Sequence, residues 1–322
     1  MSAVLLADIG GTNARFALLT DRLGAIRHLA VADHPSPNDA VATFLRAEAP
    51  GVRPTAAVLA VAAPVDGETV RFTNSPWVIE AAELRAGFGM SRVVLINDFE
   101  AVAWALTRLG PDHLRPVGGG TAVPGGPRVV LGPGTGLGVA ALVRGPDGAG
   151  GSADPVVVPT EGGHASLAAT TDREAAVVAV LRRRYGHVSN ERAISGPGLE
   201  ALHAAIAVVD GVVVPARRAA EISRLAGEGA CPVCREAVAM FCAMLGSVAG
   251  DVALMFRARG GVFVAGGIVP RLGAAFDASE FRARFEAKGR FQAYLAAIPT
   301  AVITHPDVAF LGLQAIATRV RA

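Results

Sequence analysis

Along the first third of the chain, apolar residues come in short blocks and then fall into helical spacing. Val4–Gly10, Asn13–Thr20 and Ala25–Asp33 are separated by Gly10-Gly11 and by Asp21-Arg22-Leu23-Gly24, which predicts three strands in a meander. Ser36-Pro37 starts a helix with proline in its first turn, running to about Ala49. Thr55–Ala62 is a further strand, and the stretch from Ala63 to Trp77, with Pro64, Gly67 and Asn74, predicts a loop with at most one hairpin. A short helix near Glu80–Ala86 leads to Val93–Ile96, four apolar residues that read as a buried strand. Beyond it, Phe99, Val102, Ala103 and Leu106 keep the spacing of one helix face. The polar pair Asn97-Asp98 therefore sits where a strand hands over to a helix, and ligands of open α/β sheets bind at the carboxyl ends of strands. On this stretch alone Asp98 has two readings. It is an N-cap accepting from the helix's first amides, or it is a catalytic acid/base.

Gly110–Gly126 is rich in Gly and Pro and reads as a boundary or a long surface loop. The chain then starts again: Arg128–Leu131 as a strand, Gly132-Pro-Gly-Thr-Gly136 as a turn, Leu137–Arg144 as a strand. This repeats the opening strand, glycine turn and strand in kind, and suggests an internal duplication. Four helices follow, at about Asp172–Tyr185, Gly196–Val208, Ala216–Glu228 and Cys231–Ala258. Gly261–Ala265 is a buried strand ending at Gly266-Gly267, and Ile268-Val269-Pro270 begins the next helix. A strand at about Thr300–Thr304 precedes a last helix, Val308–Val320. Strands alternating with helices in this way predict mixed sheets with helices on their faces.

Composition narrows the picture. A chain of 322 residues suits two domains better than one core. Apolar residues make up 52%, but they are mostly Ala, Val and Leu. The longest charge-free run near a helical pattern, Ala237–Gly250, falls short of the roughly 20 residues that a bilayer span needs. No membrane segment is expected. The start of the chain lacks the basic and apolar regions of a signal peptide, so a cytoplasmic location is expected. A net charge of +2 leaves no footprint for nucleic acid. The one basic run, Arg182–Arg184, ends a helix, where the dipole favours it. Lys288 is the only lysine, which excludes a Walker-type clamp or a Schiff base elsewhere. Three cysteines give no disulfide framework. Cys231-Pro-Val-Cys234 has C-x-x-C spacing, but no second pair or neighbouring His in the sequence completes a zinc set, so a pair of thiols at the start of a buried helix is expected.

The candidate chemistry lies in turns. Asp8-Ile-Gly-Gly-Thr12 places Gly10, Gly11 and Thr12 between two strands, where consecutive amides and a hydroxyl make a nest for phosphate oxygens. Asp8, at the strand's end, is placed to order a Mg²⁺ ion through its waters. Gly134, Thr135 and Gly136 form a second such turn, and Gly266-Gly267 a third. Glu161-Gly-Gly-His164 sits in a loop and Glu191 flanks a helix. Each alone is an ordinary solvated charge. With Asn97 and Asp98 they offer many polar partners, the inventory a polyhydroxylated ligand requires.

Taken in order, Asp8-Ile-Gly-Gly-Thr-Asn-Ala14, Ile96-Asn-Asp-Phe99, Leu131-Gly-Pro-Gly-Thr-Gly-Leu-Gly138, Glu161-Gly-Gly-His164, Ile194-Ser-Gly-Pro-Gly198 and Gly266-Gly-Ile-Val-Pro-Arg271 resemble the motif set of bacterial glucokinases. The resemblance runs from the first strand to the last helix. It implies an α/β, two-domain actin-like ATPase (ribonuclease H-like) fold with duplicated mixed-sheet halves: a small domain of 1–110 plus 301–322 and a large domain of 111–300. It implies ATP and Mg²⁺ as cofactors, glucose as substrate and a homodimer. Carried over by residue, it makes Asp98 the base facing the sugar 6-hydroxyl. Asn97, Glu161, His164 and Glu191 would bind other hydroxyls, Gly10–Thr12 with Gly134–Gly136 the phosphates, and Gly266-Gly267 would lie near the adenosine. A kinase of another sugar or with another phosphoryl donor is the nearest alternative. A sugar-sensing regulator on the same scaffold would need a DNA-reading element, and the sequence opens directly with a strand.

Overall fold

A computed structural model describes residues 3–72, 75–144 and 154–321; Asn74 lies outside them. The chain forms two compact units, Met1–Gly110 with His305–Ala322, and Pro111–Thr304.

In the first unit, β1 (Val4–Ile9) pairs antiparallel with β2 (Asn13–Leu19), and β2 with β3 (Arg27–Ala30). After α1 (Pro37–Glu48), β4 (Ala56–Val61) joins β1 in parallel. A small ribbon, β5 (Thr69–Arg71) with β6 (Val78–Glu80), and helix α2 (Ala81–Phe88) lead to β7 (Arg92–Asn97), parallel to β4, and then α3 (Asp98–Ala105). The sheet order is β3-β2-β1-β4-β7.

The near-continuous apolar runs of β1 and β4 follow from burial on both faces. Leu5, Ala7, Ile9, Leu59 and Val61 pack on one side with Val41 and Phe44 of α1. Val4, Leu6, Val58 and Ala60 pack on the other with Phe310 and Leu313 of the C-terminal helix, Val308–Arg321. Each of the larger side chains, alanines aside, contributes about 1.5–3 kcal/mol by leaving water. The C-terminal helix lies so close to α3 that a Cβ at Gly312 would overlap the carbonyl oxygen of Ala101. Trp77, which the sequence places in a loop, is a core anchor: it is 2% exposed and its indole N–H donates to the His34 carbonyl at 3.0 Å. The block Ala25–Asp33 yields a shorter strand than expected, because the chain turns at Val31–Asp33, with the Val31 N–H donating to the Thr12 carbonyl at 2.9 Å.

In the second unit, β8 (Leu114–Pro116), β9 (Arg128–Pro133), β10 (Leu137–Arg144), β11 (Pro155–Thr160), β12 (Gly261–Val264) and β13 (Thr300–Ile303) form one sheet in the order β11-β10-β9-β12-β13-β8. Its first five strands repeat the order and directions of the other sheet: two antiparallel pairs, then two parallel ones. β8 is an addition at the edge, antiparallel to β13. It arises inside the Gly/Pro-rich stretch that reads as a boundary. Because β13 belongs to this sheet, the returning segment of the first unit begins at His305, a correction to the expected start at 301.

Helices α4 (Asp172–Tyr185), α5 (Gly196–Asp210), α6 (Ala219–Gly227) and α7 (Pro232–Met255) cover this unit. By length and composition alone α7 would reach across a bilayer, but 78% of its apolar window is buried. It is the core helix of the unit, with Phe241, Leu245 and Val248 among the buried cluster. After β12 comes a single turn of helix, α8 (Val269–Leu272).

Candidate active site

The sequence-derived site residues fall into two groups, one in each unit. In the first unit, Asp8 lies at the carboxyl end of β1 and Asn97 and Asp98 at that of β7. Asp8 is level with Ala60 of β4, and Ala60 with Ile96 of β7. The acidic groups thus share one end of the parallel strands.

Asn97 caps α3: its Oδ1 accepts from the Phe99 N–H at 2.8 Å and its Nδ2 donates to the Ala63 carbonyl at 3.2 Å. Asp98 is the first helical residue, and its Oδ1 shares the same Phe99 N–H at 2.8 Å. Asn97 holds the N-cap position and Asp98 adds a second acceptor to the same amide, which leaves its other carboxylate oxygen for acid/base work. Burial, reinforced by the charge of Asp8, pushes the Asp98 carboxyl up to about 6 against the pull of the Phe99 amide. A carboxylate with that proton affinity suits general-base work near neutral pH.

Asp8 is paired across the strands with Arg15 of β2, whose Nη2 bonds its Oδ2. Arg15 Nη1 donates to Asp307 Oδ1 at 3.2 Å. Burial outweighs this pairing and raises the Asp8 carboxyl above its ordinary value. Sequence reading missed Arg15 and Asp307. The available signal for Arg15 was a charge inside an otherwise apolar strand. At the β1–β2 tip, the Gly10 N–H is committed to the Asn13 carbonyl at 2.9 Å, a correction to the expected three-residue nest that leaves Gly11 and Thr12 as its candidate members. These two line a cavity of about 540 Å³ with Asp33 and His34, within the range of small-molecule sites.

In the second unit the β9–β10 hairpin is the centre. Its tip is Gly134-Thr135-Gly136, closed by the Gly134 N–H donating to the Gly136 carbonyl at 2.8 Å, with Thr135 exposed. Four chain-distant segments pack on this hairpin. The Gly196 N–H at the start of α5 donates to the Gly134 carbonyl at 2.8 Å. Glu191 Oε2 accepts from the Leu137 N–H at 2.9 Å. A Cβ at Gly163 would overlap the Leu137 carbonyl, and one at Gly266, where φ is +82°, would overlap that of Pro133. Gly267, by contrast, has open space where a Cβ would stand.

Glu161 and His164 are exposed, with His164 Nε2 3.9 Å from Glu161 Oε2. Their turn is braced from below by Asn190, which the sequence did not single out. Its Nδ2 donates to the Gly162 carbonyl at 3.1 Å and its N–H to the Ala165 carbonyl at 2.8 Å. The only lysine is structural: Lys288 Nζ donates to Asp251 Oδ1 at 2.6 Å and to the Ser247 carbonyl at 2.9 Å.

Known proteins resemble this chain over nearly its whole length. The profile of the glucokinase family matches residues 5–320. The glucokinase of Paramagnetospirillum magneticum is 48% identical over 317 residues, covering 98% of this chain and 97% of that protein. The crystal structure of a glucokinase from an Antarctic psychrotroph superposes with a TM-score of 0.89 at 37% identity, covering 99% of each chain. That of the Balamuthia mandrillaris glucokinase in complex with glucose shares the fold, with a TM-score of 0.81 at 22% identity over 100% of this chain and 94% of that one.

Proposed function

This chain belongs to the glucokinase family, with the actin-like fold of its sugar kinases, and on that premise we propose that it phosphorylates the 6-hydroxyl of glucose with MgATP, Asp98 being the base. The observation that carries the role of Asp98 is its position: the first residue of α3, behind Asn97 as N-cap, at a strand's carboxyl end, with a raised proton affinity. The carboxylate orients the 6-hydroxyl toward the phosphoryl donor and takes its proton late, because phosphoryl transfer passes through a loose transition state in which the acceptor's proton leaves last.

Asn97, Glu161, His164 and Glu191 bind the remaining hydroxyls. Gly11 and Thr12, with Thr135 and Gly136, receive the phosphates on backbone amides and hydroxyls, while Gly134, its own N–H committed to the Gly136 carbonyl, shapes the second turn. Gly267, with open space where a Cβ would stand, leaves room for the adenosine end, and Gly266 seats that turn against Pro133, where only glycine fits. With Lys288 occupied by Asp251, backbone donors take the place of a lysine clamp.

The donor set at the first unit's strand ends fits Mg²⁺. Asp8 and Asp98 offer hard carboxylate oxygens, and the charge of Asp8 raises the Asp98 carboxyl, a repulsion that a divalent cation relieves. Asp8, its other oxygen held by Arg15, would hold the ion through water. When bound, Mg²⁺ neutralises phosphate charge and aligns the donor.

Action as a homodimer in the cytoplasm completes the proposal. The dimer is supported by the apolar side chains Val208, Val212 and Val213, exposed at and just beyond the end of α5. Steady-state kinetics of ADP release over a panel of hexoses and phosphoryl donors tests the assignment. Glucose with MgATP should give the highest kcat/KM, and a clear preference for another sugar or donor would overturn it.

A further inference from the structure

In the second unit, His203 of α5 meets Cys231 and Cys234 at the start of α7. The sequence shows the cysteine pair, but not its third member, because His203 belongs to a different helix. One ligating atom from each residue lies within 4.8 Å of the others. Cys231 is the N-cap of α7, its Sγ accepting from the Cys234 N–H at 3.3 Å, and Cys234 is buried in the first turn. Nothing in the phosphoryl-transfer chemistry uses this cluster.

A second, independent observation is that His203 is only 2% exposed and its Nε2 has no hydrogen-bond partner among the described residues. An unsatisfied buried ring nitrogen is costly to the fold. A metal ion is a partner that such a nitrogen accepts in its neutral form. The charged neighbours are Arg217 and Glu221, bonded to each other. The positive charge of Arg217 bears on both cysteines and on His203.

We propose that Cys231, Cys234 and His203 bind a zinc-class cation, with a fourth position open to water. Two thiolates and a neutral imidazole are a borderline-soft set that suits Zn²⁺. The two thiols release their protons to solvent as the Zn–S bonds form, and the thiolates neutralise the dication. A Cys231–Cys234 disulfide would instead leave His203 Nε2 without a partner. The ion would fasten α5 to α7. The first residue of α5, Gly196, holds the phosphate hairpin through Gly134, so the ion is a clamp on the scaffold behind that hairpin and not a participant in catalysis.

The test uses the untagged full chain. Elemental mass spectrometry after chelator-free purification, or after equilibration with zinc and desalting, should find roughly one zinc per chain. The double variant C231S/C234S should hold none and keep wild-type kcat, and its Tm should fall by a few degrees relative to the zinc-loaded wild type. Cobalt(II) titration of zinc-free wild type should give thiolate-to-cobalt charge-transfer bands and tetrahedral d–d bands, and this readout stands by itself if the double variant does not fold. Absence of the charge-transfer bands in the wild type, equal zinc content in the double variant, or thiols that react with disulfide reagents equally fast with and without zinc would each overturn the proposal.

Discussion

The charge of Asp8, at the end of β1, adds to the burial that pushes the carboxyl of Asp98, at the start of α3, up to about 6. If Asp98 acts as an ionised base, kcat/KM should fall on the acid side with an apparent pKa near that value. Asp8→Asn should move this limb to lower pH, because one of the two causes raising the carboxyl is gone. Carbon NMR of labelled aspartate reads the same shift without turnover. An acid limb that stays in place in Asp8→Asn would remove the coupling from the account.

Glu191 joins the proposed sugar subsite to the phosphate hairpin through the Leu137 N–H. Glu191→Ala leaves that amide without its partner, at a cost of about 1–2 kcal/mol. KM should therefore rise for ATP as well as for glucose. Glu191→Gln keeps an acceptor oxygen and should leave the ATP value near wild type while still weakening glucose. Equal ATP constants in wild type and both variants would show that the bond has no bearing on the nucleotide side.

Gly266→Ala should be far more damaging than Gly267→Ala. At Gly266 the left-handed φ and the overlap with Pro133 backbone act together, about 2–4 kcal/mol in all. Gly267 has neither constraint. Thermal denaturation and the ATP KM of the two variants, measured side by side, check this.

Removing the charge of Asp98 should stabilise the protein while it abolishes turnover. The folded-state pKa lies above the ordinary 3.8, so the folded form binds more protons between the two values, and stability declines as pH rises through that window. Ionised Asp98 therefore costs the folded state up to about 3 kcal/mol above pH 6. Asp98→Asn should raise Tm at about pH 8 and lose the advantage below about pH 4. An unchanged or lower Tm of Asp98→Asn at the alkaline end would contradict the raised pKa.

The sequence made the strands and long helices legible because their signals are local. Helix α4 was readable to the residue: Thr171 caps it by accepting from the Glu174 N–H at 3.1 Å, and Gly186 ends it. β8 was not readable, since three residues containing a proline pair only because β13 lies beside them. The residues proposed for the site stand out in the sequence as glycine turns and as polar side chains at the ends of elements. Their supports were less so: Arg15, Asp307 and Asn190 act through contacts set by strand register and by turns remote in the chain. His203 was invisible beside the cysteines for the same reason. Trp77 looked like a loop residue because its pocket is made by other segments.

The most direct test of the central claim is kcat and glucose affinity of Asp98→Ala measured together, the second by calorimetry. The account predicts a kcat lower by about 10²–10⁴-fold, with glucose still bound, though more weakly. Turnover above about a tenth of wild type would contradict it, because a general base supplies more than that.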